Sequence, residues 1–351
     1  MKAMTNNRPC FSVVIDNYNY GCFVEDAIDS VLNQRFPSEE VEIIVVDDGS
    51  TDDSFERVRQ YGDRVVYIYK ENGGQASAFN VGIARARGEF IALLDADDYW
   101  HPTKLREVFS ELRRSETTDF VYHFMNVIGS ARTVIDRYIF PPPLPIREGG
   151  ARERYVDRYL GGRLPWFAPA SGMTVRAECL KRAVPIPGDF RIWADLYLHY
   201  ILPFYIRDLS LIRKPLGYYR LHEKNLSGGN RLTLEKINRE SDILKLIETH
   251  VESHARKLGY DSVAIIKRME SVLVSYKIVG NILRGKRRDA LRDVLSFHAF
   301  LPSDSNWYRF FRKSTLLMYI VLPPPFWLWL QRRYRSVVYS IGNLASPGGR
   351  E

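Results

Sequence analysis

The sequence predicts an α/β fold, a mostly parallel sheet flanked by helices and followed by a smaller helical C-terminal domain, on three observations. From Phe11 to about Gly129, short β-branched runs alternate with apolar residues at helical spacing, which is the pattern of successive βα units. Three of those runs end in acidic residues, as strands do when their carboxyl ends carry a site. From 232 to 300, apolar positions such as Ile243, Leu244, Leu246 and Ile247 recur at helical spacing with few strand signals.

The first strand is FSVVI (11–15), after which Phe23, Ala27, Ile28, Val31 and Leu32 read as one helix face. EIIVV (42–46) is the second strand, followed by an acidic turn and a helix near Asp53 to Tyr61. VVYIY (65–69), EFIALL (89–94) and DFVYHF (119–124) are the third, fourth and fifth strands. Between the third and fourth, GQASAFNVGIARARG (74–88) reads as a helix rich in small residues, closed by Gly88 in the left-handed conformation that glycine tolerates. FPPPLP (140–145) and RLPWFAPASG (163–172) break regular structure, so loops and short strands are expected over the sheet. HEKNLSGGN (222–230) marks a linker, with a boundary near Gly229. TLLMYIVLPPPFWLWLQRRYR (315–335) has two apolar stretches split by three prolines and flanked by arginines. It is too interrupted to span a bilayer and reads either as an element lying in an anionic membrane interface or as a buried strap closing the helical domain.

A chain of 351 residues allows one large domain or two. Fifty Lys and Arg against 42 Asp and Glu give a formal net charge of +8, which suits phosphates, nucleic acid or an anionic membrane face without choosing among them. The arginines are scattered and form no nucleic-acid recognition module. The three cysteines, Cys10, Cys22 and Cys179, form no CxxC pair and leave at least one unpaired. With no apolar run in MKAMTNNRPC, a cytosolic protein is expected.

The acids carry the chemistry. Asp16 ends the first strand, Asp47 and Asp48 the second, and Asp95, Asp97 and Asp98 the fourth. Any one cluster can be a turn or helix cap; Ser50, Thr51 and Asp52 suit a cap, and Asp98 suits one for the helix after Pro102. Three clusters on one sheet edge repel one another unless a cation or a positive neighbour offsets them. Oxygen ligation by carboxylates selects Mg²⁺ or Mn²⁺, ions that also recruit substrate phosphates.

Several ordered segments carry a family resemblance: FSVVIDNYNYGCFVEDAIDSVLNQ, VEIIVVDDGSTDDS, ENGGQASAFNVGIARARGEFIALLDADDYWHP, ASGMTVR and YRLHEKNLSG. Together they resemble the family 2 inverting glycosyltransferases of GT-A fold, densely from Phe11 to about Lys104, thinly to about Ser227 and not beyond. The resemblance implies a glycosyltransferase domain over 9–229, with a Rossmann-like donor half (about 9–129) and an acceptor and base half (about 130–229), ahead of a helical domain at 230–351. It implies a nucleotide-diphospho-sugar donor, with a UDP-sugar favoured, and a hydroxyl acceptor on a carbohydrate or lipid carrier. A lipid carrier would suit the basic, aromatic C-terminus, and with it a part in polysaccharide or glycolipid assembly at the inner membrane face is expected. By the match, Asp48 binds base or ribose, and Asp16 and Tyr18 line the nucleoside site. Asp16 stands where many members have Pro or Thr. Asn72, Gly73 and Gln75 are donor contacts in a segment whose small residues allow close approach. DAD resembles the DxD motif: Asp97 ligates Mn²⁺ or Mg²⁺, Asp95 meets ribose or the metal's water shell, and Asp98 is a supporting acid. His222 lies at the metal and diphosphate, and Arg220 neutralises phosphate. Lys224 and Asn225 belong to a loop that orders over donor, with Gly228 and Gly229 as its hinge. Asp195 matches the catalytic aspartate, although Ala194 precedes it in place of an acid.

A non-catalytic copy would be expected to lack the base or the metal acids, and this chain has candidates for both. A nucleotidyltransferase would carry a glycine-rich, basic loop where this chain has DNYNYG. A glycoside hydrolase needs two flanking acids and no metal cluster.

Overall fold

The computed structural model describes residues 8–129, 132–138, 155–160, 169–222, 225 and 233–296. The described residues fall into two compact units, the first within 8–138, 155–157 and 169–225, the second of 158–160 and 233–296. The segments 140–145 and 315–335, the boundary near Gly229, the hinge glycines and Lys224 lie outside the described residues.

The first unit is built on one nine-stranded sheet: β1 (Phe11–Asn17), β2 (Val41–Asp47), β3 (Val66–Tyr69), β4 (Phe90–Asp95), β5 (Tyr99–Trp100), β6 (Thr118–Ile128), β7 (Val134–Tyr138), β8 (Met173–Arg176) and β9 (Asp208–Arg220). Its helices are α1 (Gly21–Leu32), α2 (Ser54–Arg59), α3 (Gln75–Arg85), α4 (Lys104–Arg114), α5 (Tyr155–Leu160), α6 (Ala177–Ala183) and α7 (Ala194–Ile201); α5 runs across the division between the units. The strand order is β3-β2-β1-β4-β8-β6-β9-β5, with β7 beside β6.

β1, β2 and β4 read as unbroken apolar runs because both faces are covered. Val13 and Ile15 pack with Val24, Ala27 and Ile28 of α1 in one core cluster. On the other face α3 comes so close that a Cβ on Gly82 would lie 2.2 Å from Val14 Cγ1. β1, β2, β3 and β4 are mutually parallel. The chain steps from β1 to β2 to β3 on one side and returns to place β4 on the other side of β1. The crevice at the carboxyl ends of β1 and β4 is therefore the switch point where open α/β sheets bind ligands.

The fifth run is β6, an 11-residue strand separated from β4 by antiparallel β8. The structure corrects two expectations. β9, 13 residues long, was expected as loops and short strands: DLSLIRKPLGYYR interrupts its apolar residues with Arg213, Lys214 and Pro215. Irregular register against β6 accommodates that proline. Gly88 does not close a helix. α3 ends at Arg85, Ala86 is extended at φ −60° and ψ 131°, and Gly88 is needed for space, because a Cβ there would sit 2.4 Å from Ser12 N. Gly88→Ala is accordingly expected to cost about 2 kcal/mol, as overpacked interiors do, and to lower the urea midpoint. An unchanged midpoint would mean that β1 gives way freely.

The second unit holds α8 (Leu234–Leu258), α9 (Val263–Leu283) and α10 (Arg287–Ser296), which pack in sequence. Thr233 caps α8 by accepting a hydrogen bond from Lys236 N at 3.1 Å, and Gly259 ends it at φ 74°. Ile237, Leu244, Ile247, Val251 and Ala255 form its buried stripe. No helix among the described residues is long and apolar enough to cross a membrane.

Candidate active site

The parallel register of β1 and β4 sets Asp16 directly beside Asp95. Their carboxyls share a hydrogen bond, and Asp16 Oδ1 is buried with no hydrogen-bond partner among the described residues. Burial pushes the Asp16 carboxyl up to about 7, the bond with Asp95 offsets part of that rise, and the charge of Asp97 adds to it. Asp95 is raised well above the usual carboxylate range by burial and then by the charge of Asp16. A cation beside such carboxyls would favour their charged form.

The turn after β4 divides its acids. Oxygens of Asp95, Asp97 and Asp98 can all be chosen within 4.8 Å of one another. Asp97 Oδ2 faces His222 Nε2 at 3.0 Å and accepts a hydrogen bond from Asn225 Nδ2 at 3.2 Å. Asn225 also accepts from His222 N at 2.6 Å, so it holds the imidazole's backbone as well as the acid. His222 packs its ring against Tyr20 and Phe23. Asp98 is wholly buried, which raises its carboxyl, and it accepts from Ser171 Oγ at 2.6 Å and from Arg220 N at 3.0 Å. It braces the turn instead of capping α4, whose N-cap is Thr103.

Arg220 is 4% exposed, with its guanidinium over the rings of Phe23 and Tyr99. It donates to Asp26 Oδ2 at 2.7 Å and to the Asp97 carbonyl at 2.8 Å. Through these contacts the buried guanidinium supports the acidic turn.

At the end of β2 both acids are engaged by protein. Asp47 accepts from Ser50 N at 2.7 Å and Tyr67 OH at 2.8 Å. Asp48 accepts from the amides of Gly73 at 3.0 Å and Gly74 at 2.6 Å and pairs with Lys70. Asn72 Nδ2 donates to the Asp48 carbonyl at 3.0 Å. Asp48 thus anchors the loop carrying Asn72 and Gly73. Tyr18, 39% exposed, follows β1 at the same edge.

Gln75 opens α3, and its Nε2 donates to Asp95 Oδ1 at 3.1 Å. Asp195 lies in the first turn of α7 and accepts from its own neighbour's amide, Leu196 N, at 2.8 Å. Burial pushes its carboxyl up to about 6. Its charge in turn bears on Asp16 and Asp95, so it belongs to the same group of acids.

Ser171 and the role of Asn225 escaped the sequence reading. Ser171 Oγ accepts from Asp95 N at 3.1 Å while donating to Asp98, tying β4 to the turn before β8. No local pattern marks a serine whose two partners lie at the end of β4 and in the turn after it. ASGMTVR and YRLHEKNLSG nevertheless contain both residues.

The acidic crevice lies at the switch point of an open α/β sheet, and the comparisons give the class. Residues 12–166 match the model of glycosyl transferase family 2. An uncharacterized glycosyltransferase of Nostoc sp. is 32% identical over 257 residues, 71% of this chain and 76% of the relative. The putative teichuronic acid biosynthesis glycosyltransferase TuaG of Bacillus subtilis is 35% identical over 143 residues, 40% of this chain and 56% of its own. The mannosyltransferase PcManGT of Pyrobaculum calidifontis, solved with GDP-Man and Mn²⁺, has the same fold at a TM-score of 0.53 and 17% identity, over 98% of this chain and 89% of that one. The chain belongs to glycosyl transferase family 2.

Proposed function

We propose that this glycosyltransferase moves a sugar from a nucleotide-diphospho-sugar to an acceptor hydroxyl with inversion at the anomeric carbon, Asp195 acting as base. The observation that carries the reading is the meeting of Asp95, Asp97 and His222 at the switch-point crevice, in the same group of acids as a half-buried Asp195. The acceptor oxygen bonds to the anomeric carbon as that carbon's bond to the diphosphate breaks. The hydroxyl proton passes to Asp195, and the nucleoside diphosphate leaves with the bonding electrons. Burial suits Asp195 to this task by bringing its carboxyl toward neutral pH.

A divalent cation fits the donor set. Asp97 and His222 already hold two ligand atoms 3.0 Å apart, Asp95 adds a carboxylate, and Asp16 Oδ1 is buried with no hydrogen-bond partner among the described residues. Asp95, Asp97 and His222 would hold the ion, Mn²⁺ or Mg²⁺, which supplies a Lewis acid for the charge on the departing diphosphate. Asp98 and Arg220 keep Asp97 in place. The GDP-Man and Mn²⁺ of PcManGT support the donor class and the ion. The name of TuaG supports an acceptor in polysaccharide assembly. The loop carrying Asn72 and Gly73 and the exposed ring of Tyr18 line the nucleoside side. Peripheral attachment to the inner membrane face through 315–335 belongs to the same proposal.

The test is a panel of UDP-, GDP- and dTDP-sugars with Mn²⁺ or Mg²⁺, scored for slow hydrolysis and thermal stabilisation. One nucleotide class should raise the melting temperature with metal only, and a UDP-sugar is expected. Silence across the panel, with or without metal, overturns the reading.

A further inference from the structure

We infer that Gln75 is a positioning residue, a strut that couples occupancy of the acidic turn to the placement of the base helix α7; the inference rests on Asp195 being the base. The Gln75 side chain spans two parts of the crevice. Its Nε2 donates to Asp95 Oδ1 at 3.1 Å, and its Oε1 accepts from Ala194 N at 3.0 Å. Ala194 is the first residue of α7 and Asp195 the second. One planar amide therefore joins a strand-end acid to the residue that precedes the base.

The backbone supports the same junction. Gln75 N donates to Arg191 O at 2.8 Å, and Ala76 N donates to Phe190 O at 3.3 Å. Gly74 lies at φ +86°, and a Cβ there would meet Arg191 Cα at 2.5 Å, so the two segments touch backbone to backbone. Trp193, the residue that launches α7, is held at φ 62° and ψ 35°, a conformation disfavoured for so large a side chain. A strained residue persists where its surroundings hold it, and the bond from the next amide to Gln75 is one such restraint. When the charge on Asp95 changes its partner, the amide of Gln75 is the direct route by which α7 responds.

The inference separates Gln75 from a plain donor contact, the role its sequence position suggests. A donor contact acts on donor affinity. A strut acts on turnover, and on the backbone of 190–196 even where no sugar is transferred.

The experiment uses the full chain as wild type, Gln75→Leu, Gln75→Glu and Asp195→Asn, each confirmed folded by thermal melting. Hydrogen exchange of 190–196 is followed with Mn²⁺ alone and with Mn²⁺ plus UDP or GDP. In the wild type, Mn²⁺ with nucleotide should slow exchange in this segment. In Q75L the segment should exchange faster without ligand and lose the response. Q75E keeps an acceptor for Ala194 N but sets a carboxylate against Asp95, so it should resemble the wild type without ligand and lose the response. With the donor found by the panel, Q75L should lower kcat about 100-fold, the effect of a misplacement near 1 Å, while KM stays within about threefold. An equal response of 190–196 in wild type and Q75L, or none in the wild type, overturns the strut. A raised KM at unchanged kcat overturns it in favour of a donor contact. Transfer by D195N would remove the base assignment alone, because the exchange result stands apart from turnover.

Discussion

Asp195→Asn is expected to abolish transfer while leaving donor binding intact, with kcat falling about 1,000-fold, in the range that a positioned general base contributes. Asparagine keeps the shape and the acceptor oxygen that meets Leu196 N, so α7 should form unchanged. The pH profile offers the sharper check. Burial raises the wild-type carboxyl to about 6, so the base form is lost as pH falls through that value and kcat/KM should drop on the acid side. The residual activity of the variant should lack that limb. Stability moves the other way. Because the folded-state pKa is raised, the native protein binds this proton more tightly than the unfolded chain. That contribution is complete below the ordinary carboxylate range and is lost as pH rises through about 6. D195N carries no such loss, so it should melt above wild type at pH 8 and level with it at pH 4. A variant that binds no donor would remove Asp195 from the base role.

Asp97→Asn is the second large effect. The substitution leaves an oxygen to face His222 and Asn225 but removes the charge, so the turn should keep its form and lose the ion. Calorimetric titration should show Mn²⁺-dependent nucleotide binding gone, and kcat should fall about 1,000-fold, as when a preorganised electrostatic partner of the transition state is removed. Asp98→Asn should behave differently. Asp98 is committed to Ser171 and Arg220, so its loss should show in thermal melting before it shows in ion binding. Retention of Mn²⁺-dependent binding by D97N would refute the ligand assignment.

How much was legible follows from how local each feature is. β1, β2 and β4 could be read because a strand buried on both faces must be apolar at successive positions, and α3 because small residues recur where it meets Val14. β9 could not, since its charged and proline residues match no single period and its partner β6 comes from a distant stretch. The same limit applied within the site. DADD announces acids, but nothing in those letters says that Asp97 faces His222 and Asn225 while Asp98 turns to Ser171 and Arg220. Nor do the letters YRLHEKNLSG say that Phe23, Tyr99 and Asp26 surround the Arg220 guanidinium.

By itself the sequence determined the alternation of strand and helix, the acids at the strand ends and the membership of a transferase family, because those depend on side-chain periodicity and short ordered motifs. The tertiary structure alone decided that Asp16 stands beside Asp95, that Asp48 is spent on the amides of Gly73 and Gly74, and that one glutamine joins the acidic turn to the base helix. Each of these is a pairing between segments far apart in the chain. Such pairings are set by strand order and crossover, to which no local pattern of residues is sensitive.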